Sequence, residues 1–438
     1  MKITFIGSGY VGLVSSVMMS HLGHSVMCLD IDKAKINQLK NLKLPIFEDG
    51  LEGYLTKYGN TNRLNFVCGY DNTIYESEAI FIAVGTPQGN DGNADLQYIF
   101  EAALTAAEYA NPDCVFVIKS TVPPGTCKKV EELFKQNGFN NPIVSNPEFL
   151  REGSAVHDFL YPDRIIIGFE SKLALEVMMQ IYKPLADQGI PILKTDLITS
   201  ELIKYASNSF LTCKIAFINE MADLCEIIGA DIKQVSNGMG LDKRIGSDFL
   251  KAGPGFGGSC FPKDILALQY LTTQVKSDFL VLDAVIKANG NRVSLIVEKI
   301  KKFLDGNICG KKITVLGLTY KAGTDDLRKS PAIELINLLW ENSADVKAYD
   351  PQGMPNASKY FGNKLVCGTS AIEAASGADA IIIATEWPEF AKIDYATLLP
   401  KLNNPNIIDL RNILDKKMLT NLGYKCYFVG QKIEYAPR

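Results

Sequence analysis

At 438 residues and 47% hydrophobic content the chain can bury two or three separate cores, since domains usually run to about 100–200 residues. A net charge of -4, with 45 Lys and Arg residues scattered rather than blocked, leaves nothing to grip a phosphate backbone and argues against nucleic-acid binding. With no basic n-region before an apolar stretch, no apolar run of membrane-spanning length, and ten cysteines but no C-x-x-C pair, the expectation is a soluble cytoplasmic protein of reduced thiols, without disulfide scaffold or metal site.

The first predicted unit is strand, glycine turn, helix. "KITFIGSGYVG" is an apolar, β-branched run ending in Gly7-x-Gly9-x-x-Gly12, and "LVSSVMMSHLG" continues as a helix stopped by Gly23. Gly7 permits the tight turn, Gly9 lets a pyrophosphate approach the helix N-terminus, and Gly12 lets helix pack on strand. The next strand, "HSVMCLD", ends in Asp30, placed to bond an adenine ribose 2′-hydroxyl; an acid there favours NAD over NADP. Strands at 79–87, 114–125 and 141–149, with a helix between the first two, extend a mostly parallel sheet. Thr86 and Thr121 fall just past strand ends, the edge where such sheets bind ligands, although either could simply cap a turn. In "NPEFLREG" the spacing predicts a short helix from Asn146-Pro147 that puts Glu148 and Glu152 on one face, i and i+4.

Residues 196–230 read as one long helix opened by Asp196 or Thr199, apolar over much of its circumference, as in a domain connector or dimer spine. Lys204 and Asn208 project from it one turn apart. After about residue 305 a second α/β unit repeats the pattern, with strands in "KKITVLGLTYK", "DVKAYDP", "ADAIIIATEWPEF" and "NPNIIDLRNIL" and a helix begun by Pro331. Gly317 is not followed by further glycines at the dinucleotide spacing, so this half should hold a different nucleotide. The predicted fold is α/β, with two Rossmann-like doubly wound domains joined by a long central helix. Expected boundaries are 1–195 for the NAD domain, 196–304 for the helical dimerisation segment with the cysteine loop, and 305–438 for the second nucleotide domain.

The chemistry centres on "GFGGSCFPKD", residues 255–264. Of the three histidines, His21 and His24 flank a helix-to-strand turn and are expected to face solvent, and His157 has no evident partner, so a histidine base is poorly supported. A cysteine beside a nicotinamide, in contrast, allows oxidation past the aldehyde. Thiolate attack gives a thiohemiacetal whose alkoxide can expel a second hydride, leaving a thioester for water to cleave. Lys263 beside Cys260 would lower the thiol pKa, and Asp264 would move protons.

"GSGYVG", "VGTP", "STVPPGT", "NPEFLREGSAVHDFLYPDRIIIG", "ELIKYASNSFL", "GFGGSCFPKD" and "LGLTYKAGTDDLRKSP" occur in the order seen in the nucleotide-sugar dehydrogenases, and the chain resembles that UDP-glucose/GDP-mannose dehydrogenase family over nearly its whole length. The resemblance implies NAD-dependent, four-electron oxidation of UDP-glucose to UDP-glucuronate by a homodimer or larger homo-oligomer. UDP-N-acetyl sugars and GDP-mannose are alternative substrates. It implies Cys260 as nucleophile, Lys204 and Asn208 at the oxyanion with Lys204 also taking the alcohol proton, Asp264 and Thr121 on a water, and Glu148 and Glu152 at thioester hydrolysis. Gly7, Gly9, Tyr10, Val11, Gly12, Asp30, Lys35, Thr86, Thr121, Glu152, Lys263 and Arg328 would contact NAD. Phe149, Leu150, Arg151, Glu152, Lys204, Asn208, Phe249, Lys251, Gly257, Cys260, Tyr320, Lys321 and Arg411 would line the sugar-nucleotide site, with Arg244 entering from a partner subunit. Two rivals are a β-hydroxyacid dehydrogenase, which would need neither Cys260 nor the second α/β half, and a non-enzymatic nucleotide-sugar sensor.

Overall fold

The computed structural model describes residues 1–89 and 92–432. The chain divides into two compact units, Met1–Ser207 with Leu266–Lys276, and Asn208–Ile265 with Ser277 onward. Each is built on its own sheet, and one helix, Leu197–Ile228, runs from the first into the second. Asp196 starts that helix by accepting from the Thr199 N–H at 2.8 Å, so the side chain caps what would be an orphan donor.

In the first unit β1 (Lys2–Ile6), β2 (Ser25–Asp30), β3 (Leu64–Cys68), β4 (Ala79–Ile82), β5 (Val115–Ile118), β6 (Ile143–Ser145), β7 (Ile165–Phe169) and β8 (Ile192–Thr195) pair in the order β3-β2-β1-β4-β5-β6-β7-β8. Every pair is parallel except β6 with β7. Alternation decides which core each side chain joins: Ile3, Phe5, Phe81, Val115 and Val117 pack on one face, while Ile6, Ile80, Ile82, Phe116 and Ile118 pack on the other. Helices cover both faces, so β4 and β5 are apolar throughout, and each such side chain contributes about 1.5–3 kcal/mol on burial.

The second unit holds β9 (Lys312–Leu316), β10 (Asp345–Tyr349), β11 (Val366–Cys367), β12 (Ala380–Ile383), β13 (Asn406–Asp409) and β14 (Lys425–Phe428), all parallel, in the order β11-β10-β9-β12-β13-β14. The first six strands of each sheet thus share the doubly wound order 3-2-1-4-5-6, whose crevice between the first and fourth strands is where ligands bind.

Two expectations fail. Residues 146–153 are not helical, so Glu148 and Glu152 share no helix face. The Asn146 N–H continues the ladder to the Ile118 carbonyl, its side chain is held by the Ile166 carbonyl, and the Glu148 carboxylate folds onto the Leu150 N–H at 2.5 Å. These bonds keep the chain extended until Gly153, at φ 80°, turns it into the helix Ala155–Leu160. His24, expected at the surface, is buried with Nε2 donating to the Ile181 carbonyl at 2.9 Å, and burial lowers its pKa. His21 is half-buried against the Tyr58 hydroxyl.

Candidate active site

The glycine turn after β1 is built as its spacing requires. Gly7 has φ 100°, and a Cβ on Gly12 would lie 1.9 Å from the Gly7 carbonyl oxygen, so the helix Tyr10–His21 sits directly on the turn. Nothing lies within 4 Å of the place a Cβ on Gly9 would take, which leaves that backbone open to a ligand. Asp30 accepts from the N–H and hydroxyl of Ser8 at 2.7 and 2.6 Å and from the Asp32 N–H. Partial burial pushes its pKa up, but those hydrogen bonds and the Lys35 charge outweigh it and hold the carboxyl below its ordinary value. Thr86 is buried and donates to the Thr121 carbonyl at 3.1 Å, bringing these two segments together. An open glycine turn with an ionised acid at the second strand fits an NAD adenosine and pyrophosphate.

Glu48, buried and absent from the expected set, ties this turn to the loop after β6. Its carboxylate accepts from the Gly153, Ala155 and Val156 N–H groups and meets the Tyr10 hydroxyl in a short contact. In that loop Glu148 and the Lys204 ammonium form an ion pair at 3.2 Å, each about 5% exposed. The Lys204 and Arg164 cations both lie over the Phe149 ring, Arg164 at 3.7 Å from its centroid. Leu150 and Glu152 are half-buried and Val11 flanks the turn, whereas Arg151 is exposed and clamps Asp158 at 2.6 Å.

The second unit carries the thiol. Cys260 is exposed at the N-terminus of the helix Phe261–Gln274, where the helix dipole favours a thiolate. Fully buried Asp264 takes Asn208 Nδ2 at 2.6 Å on one oxygen and Lys263 Nζ at 2.7 Å on the other, and its N–H closes the first turn onto the Cys260 carbonyl. The loop glycines serve close packing: a Cβ on Gly257 would meet the Lys329 carbonyl at 2.1 Å, and Gly258 packs on the Tyr320 ring with its N–H on the Arg328 carbonyl. Arg411 Nη2 donates to the Tyr320 carbonyl at 3.0 Å, past the ends of β9 and β13, with Lys321 over the Tyr320 ring. Arg328 is paired with Asp326, and Phe249, at φ 62°, packs near Phe261. Lys251 is exposed, as is Arg244, which is paired with Asp242.

At the position matching Asp30, Asp350 is fully buried and accepts from Leu318, Thr319, Gln352 and Gly353 N–H groups and from the Trp387 indole at 3.1 Å. Its carboxylate is occupied by its own fold.

Two 3-2-1-4-5-6 sheets, one with an open dinucleotide turn and one with its acid internalised, define a dinucleotide-dependent α/β protein with a second nucleotide fold of different specificity. Residues 1–186, 198–291 and 314–416 match the NAD binding, central and UDP binding domains of the UDP-glucose/GDP-mannose dehydrogenase family. The chain belongs to that family. A UDP-glucose 6-dehydrogenase of Rickettsia felis is 53% identical, over 100% of this chain and 98% of its own, and one of Rhizobium meliloti is 46% identical, over 98% and 100%. Among solved structures, a UDP-glucose dehydrogenase from Pyrobaculum islandicum is 34% identical with a TM-score of 0.90, covering 99% of this chain and 98% of that one. A UDP-D-ManNAc dehydrogenase from Pyrococcus horikoshii is 27% identical with a TM-score of 0.87, covering 98% and 99%.

Proposed function

We propose that the protein oxidises UDP-glucose to UDP-glucuronate, taking up water and passing two hydrides to two NAD molecules. The observation that carries this reading is the Cys260, Asn208, Lys263 and Asp264 constellation at a helix N-terminus, in a chain 53% identical to a UDP-glucose 6-dehydrogenase. NAD supplies the hydride acceptor when bound. Gly7, Gly9, Gly12, Asp30 and Thr86 hold it, with Tyr10, Val11, Lys35, Thr121, Glu152, Lys263 and Arg328 as further contacts.

In its neutral form Lys204, buried beside Glu148, takes the proton of the C6 alcohol as the first hydride leaves. The Cys260 sulfur adds to the aldehyde carbon. Asn208, its amide oriented by Asp264, donates to the resulting oxyanion until the second hydride leaves and a thioester remains. Asp264 and Thr121 hold the water that cleaves the thioester, Glu148 and Glu152 accept its proton, and the Cys260 thiol is released. Phe149, Leu150, Arg151, Phe249, Lys251, Gly257, Tyr320, Lys321 and Arg411 bind the sugar nucleotide.

The division of labour is residues 1–195 for NAD, 196–304 for dimerisation and the thiol, and 305–438 for the UDP moiety. Arg244, exposed on its own turn, reaches the partner subunit's site in the homodimer.

Counting NADH per sugar consumed across UDP-glucose, UDP-galactose, UDP-N-acetylglucosamine, UDP-N-acetylmannosamine and GDP-mannose tests the reading. Two NADH with UDP-glucose are expected, and Cys260→Ser should lose steady-state turnover by orders of magnitude while still binding NAD. One NADH per sugar would make Cys260 structural. Two NADH with another sugar alone would keep the mechanism and change the substrate.

A further inference from the structure

A second buried lysine lies beside the Glu148–Lys204 pair. Lys119 ends β5, is 6% exposed, and donates from Nζ to Asn146 Oδ1 at 3.0 Å and towards the Tyr182 hydroxyl at 3.4 Å. Both partners are neutral, and the Tyr182 hydroxyl itself donates to the same Asn146 oxygen at 2.6 Å. Asn146 stands two residues before Glu148, pinned through its amide to the Ile166 carbonyl. The groups that act on the Lys119 charge are Glu148 from the loop after β6, which favours it, and Lys204 from the long helix, which opposes it. The third titratable group facing it, the Tyr182 phenol, is kept protonated by burial.

A buried ammonium with two neutral partners costs stability that a methionine of similar shape would not. Retaining it calls for a function. We propose that Lys119 is a positioning residue that acts through its charge, making Lys204 easier to deprotonate as the base of alcohol oxidation. The inference rests on the reading of Lys204 as that base.

The sign follows from like charges. With Lys119 protonated, repulsion disfavours the charged form of Lys204, so Lys204 loses its proton at lower pH than it otherwise would. Burial lowers the pKa of Lys119 itself to about 8, so this assistance operates below that pH and fades above it. A residue that merely packs would change turnover equally at every pH.

The test is the pH profile of kcat for NADH formation from UDP-glucose in wild type, Lys119→Met, Lys119→Gln and Lys204→Met. In both Lys119 variants the acid limb should move up by about one pH unit, a tenfold loss of kcat below the limb, with KM for UDP-glucose and NAD little changed. The profiles should rejoin that of wild type well above pH 8. Lys119→Met should melt no lower than wild type, and if it fails to fold, the neutral but hydrogen-bonding Lys119→Gln carries the test alone. An unmoved limb, a loss uniform in pH, or full rescue by Lys119→Gln would overturn the role of the charge. Lys204→Met separates the two readings. If it abolishes the limb while the Lys119 variants leave it unmoved, this inference alone fails; if the limb survives in Lys204→Met, the base assignment falls and takes this inference with it.

Discussion

Gly9 and Gly12, three residues apart, answer to different physical demands, and a pair of substitutions separates them. A methyl on Gly12 would have to displace the Gly7 carbonyl at 1.9 Å. Gly12→Ala should therefore cost about 3 kcal/mol, the upper end for overpacking, and lower the melting temperature by roughly 6–12 °C. Gly9 has φ -68° and open space around its missing Cβ, so Gly9→Ala should leave stability within about 0.5 kcal/mol of wild type. Its effect should instead appear in NAD affinity, weakened roughly tenfold by the loss of one backbone contact to a charged group. Thermal melts and NAD titration check both; equal destabilisation by the two variants would contradict the distinction.

Residues of this kind were legible in the sequence because a backbone constraint restricts the side chain locally. Cys260, Lys263 and Asp264 were legible too, being neighbours on one turn. The Asn208–Asp264 bond joins positions 56 apart, and no spacing rule announces it. Glu48 and Lys119 escaped notice for the same reason. Each looks like an ordinary charged residue until the fold buries it beside partners distant in sequence.

Among the elements, the long helix was read within two residues at either end because its cap and stop are local signals. The loop carrying Glu148 was misread because i, i+4 spacing cannot report that Asn146 is tied into the sheet by bonds to β5 and β7. β8 was missed as a four-residue, partly exposed strand with weak alternation, whereas β7, written Ile-Ile-Ile-Gly-Phe, carried an apolar run that could have been found. The helix also makes a prediction. Phe210, Phe217 and Leu224, seven residues apart and 66%, 50% and 43% exposed, form an apolar stripe of the period that packs helix on helix. In the proposed homodimer this stripe is covered, so Phe217→Glu should convert the dimer to monomer in sedimentation equilibrium. An unchanged mass would move the interface elsewhere.

For the whole molecule, two sheets with separate cores mean two units that ligands can stabilise separately. NAD, held mainly by residues of the first unit, should raise that unit's melting transition the more, and UDP that of the second, by about 2.7 kcal/mol at a hundred times the dissociation constant. Calorimetry with each ligand alone checks this. A single transition raised equally by either ligand would show that the units unfold as one.

The buried Asp350 carries a consequence for redesign. An engineer wishing to give the second sheet a nicotinamide cofactor would not succeed by restoring glycines after Gly317. The carboxylate that should greet a ribose already satisfies donors from Leu318, Thr319, Gln352, Gly353 and Trp387, and turning it outward would strand the four backbone donors among them at about 1–3 kcal/mol each. The two halves share a blueprint, but the second cannot be switched back one residue at a time.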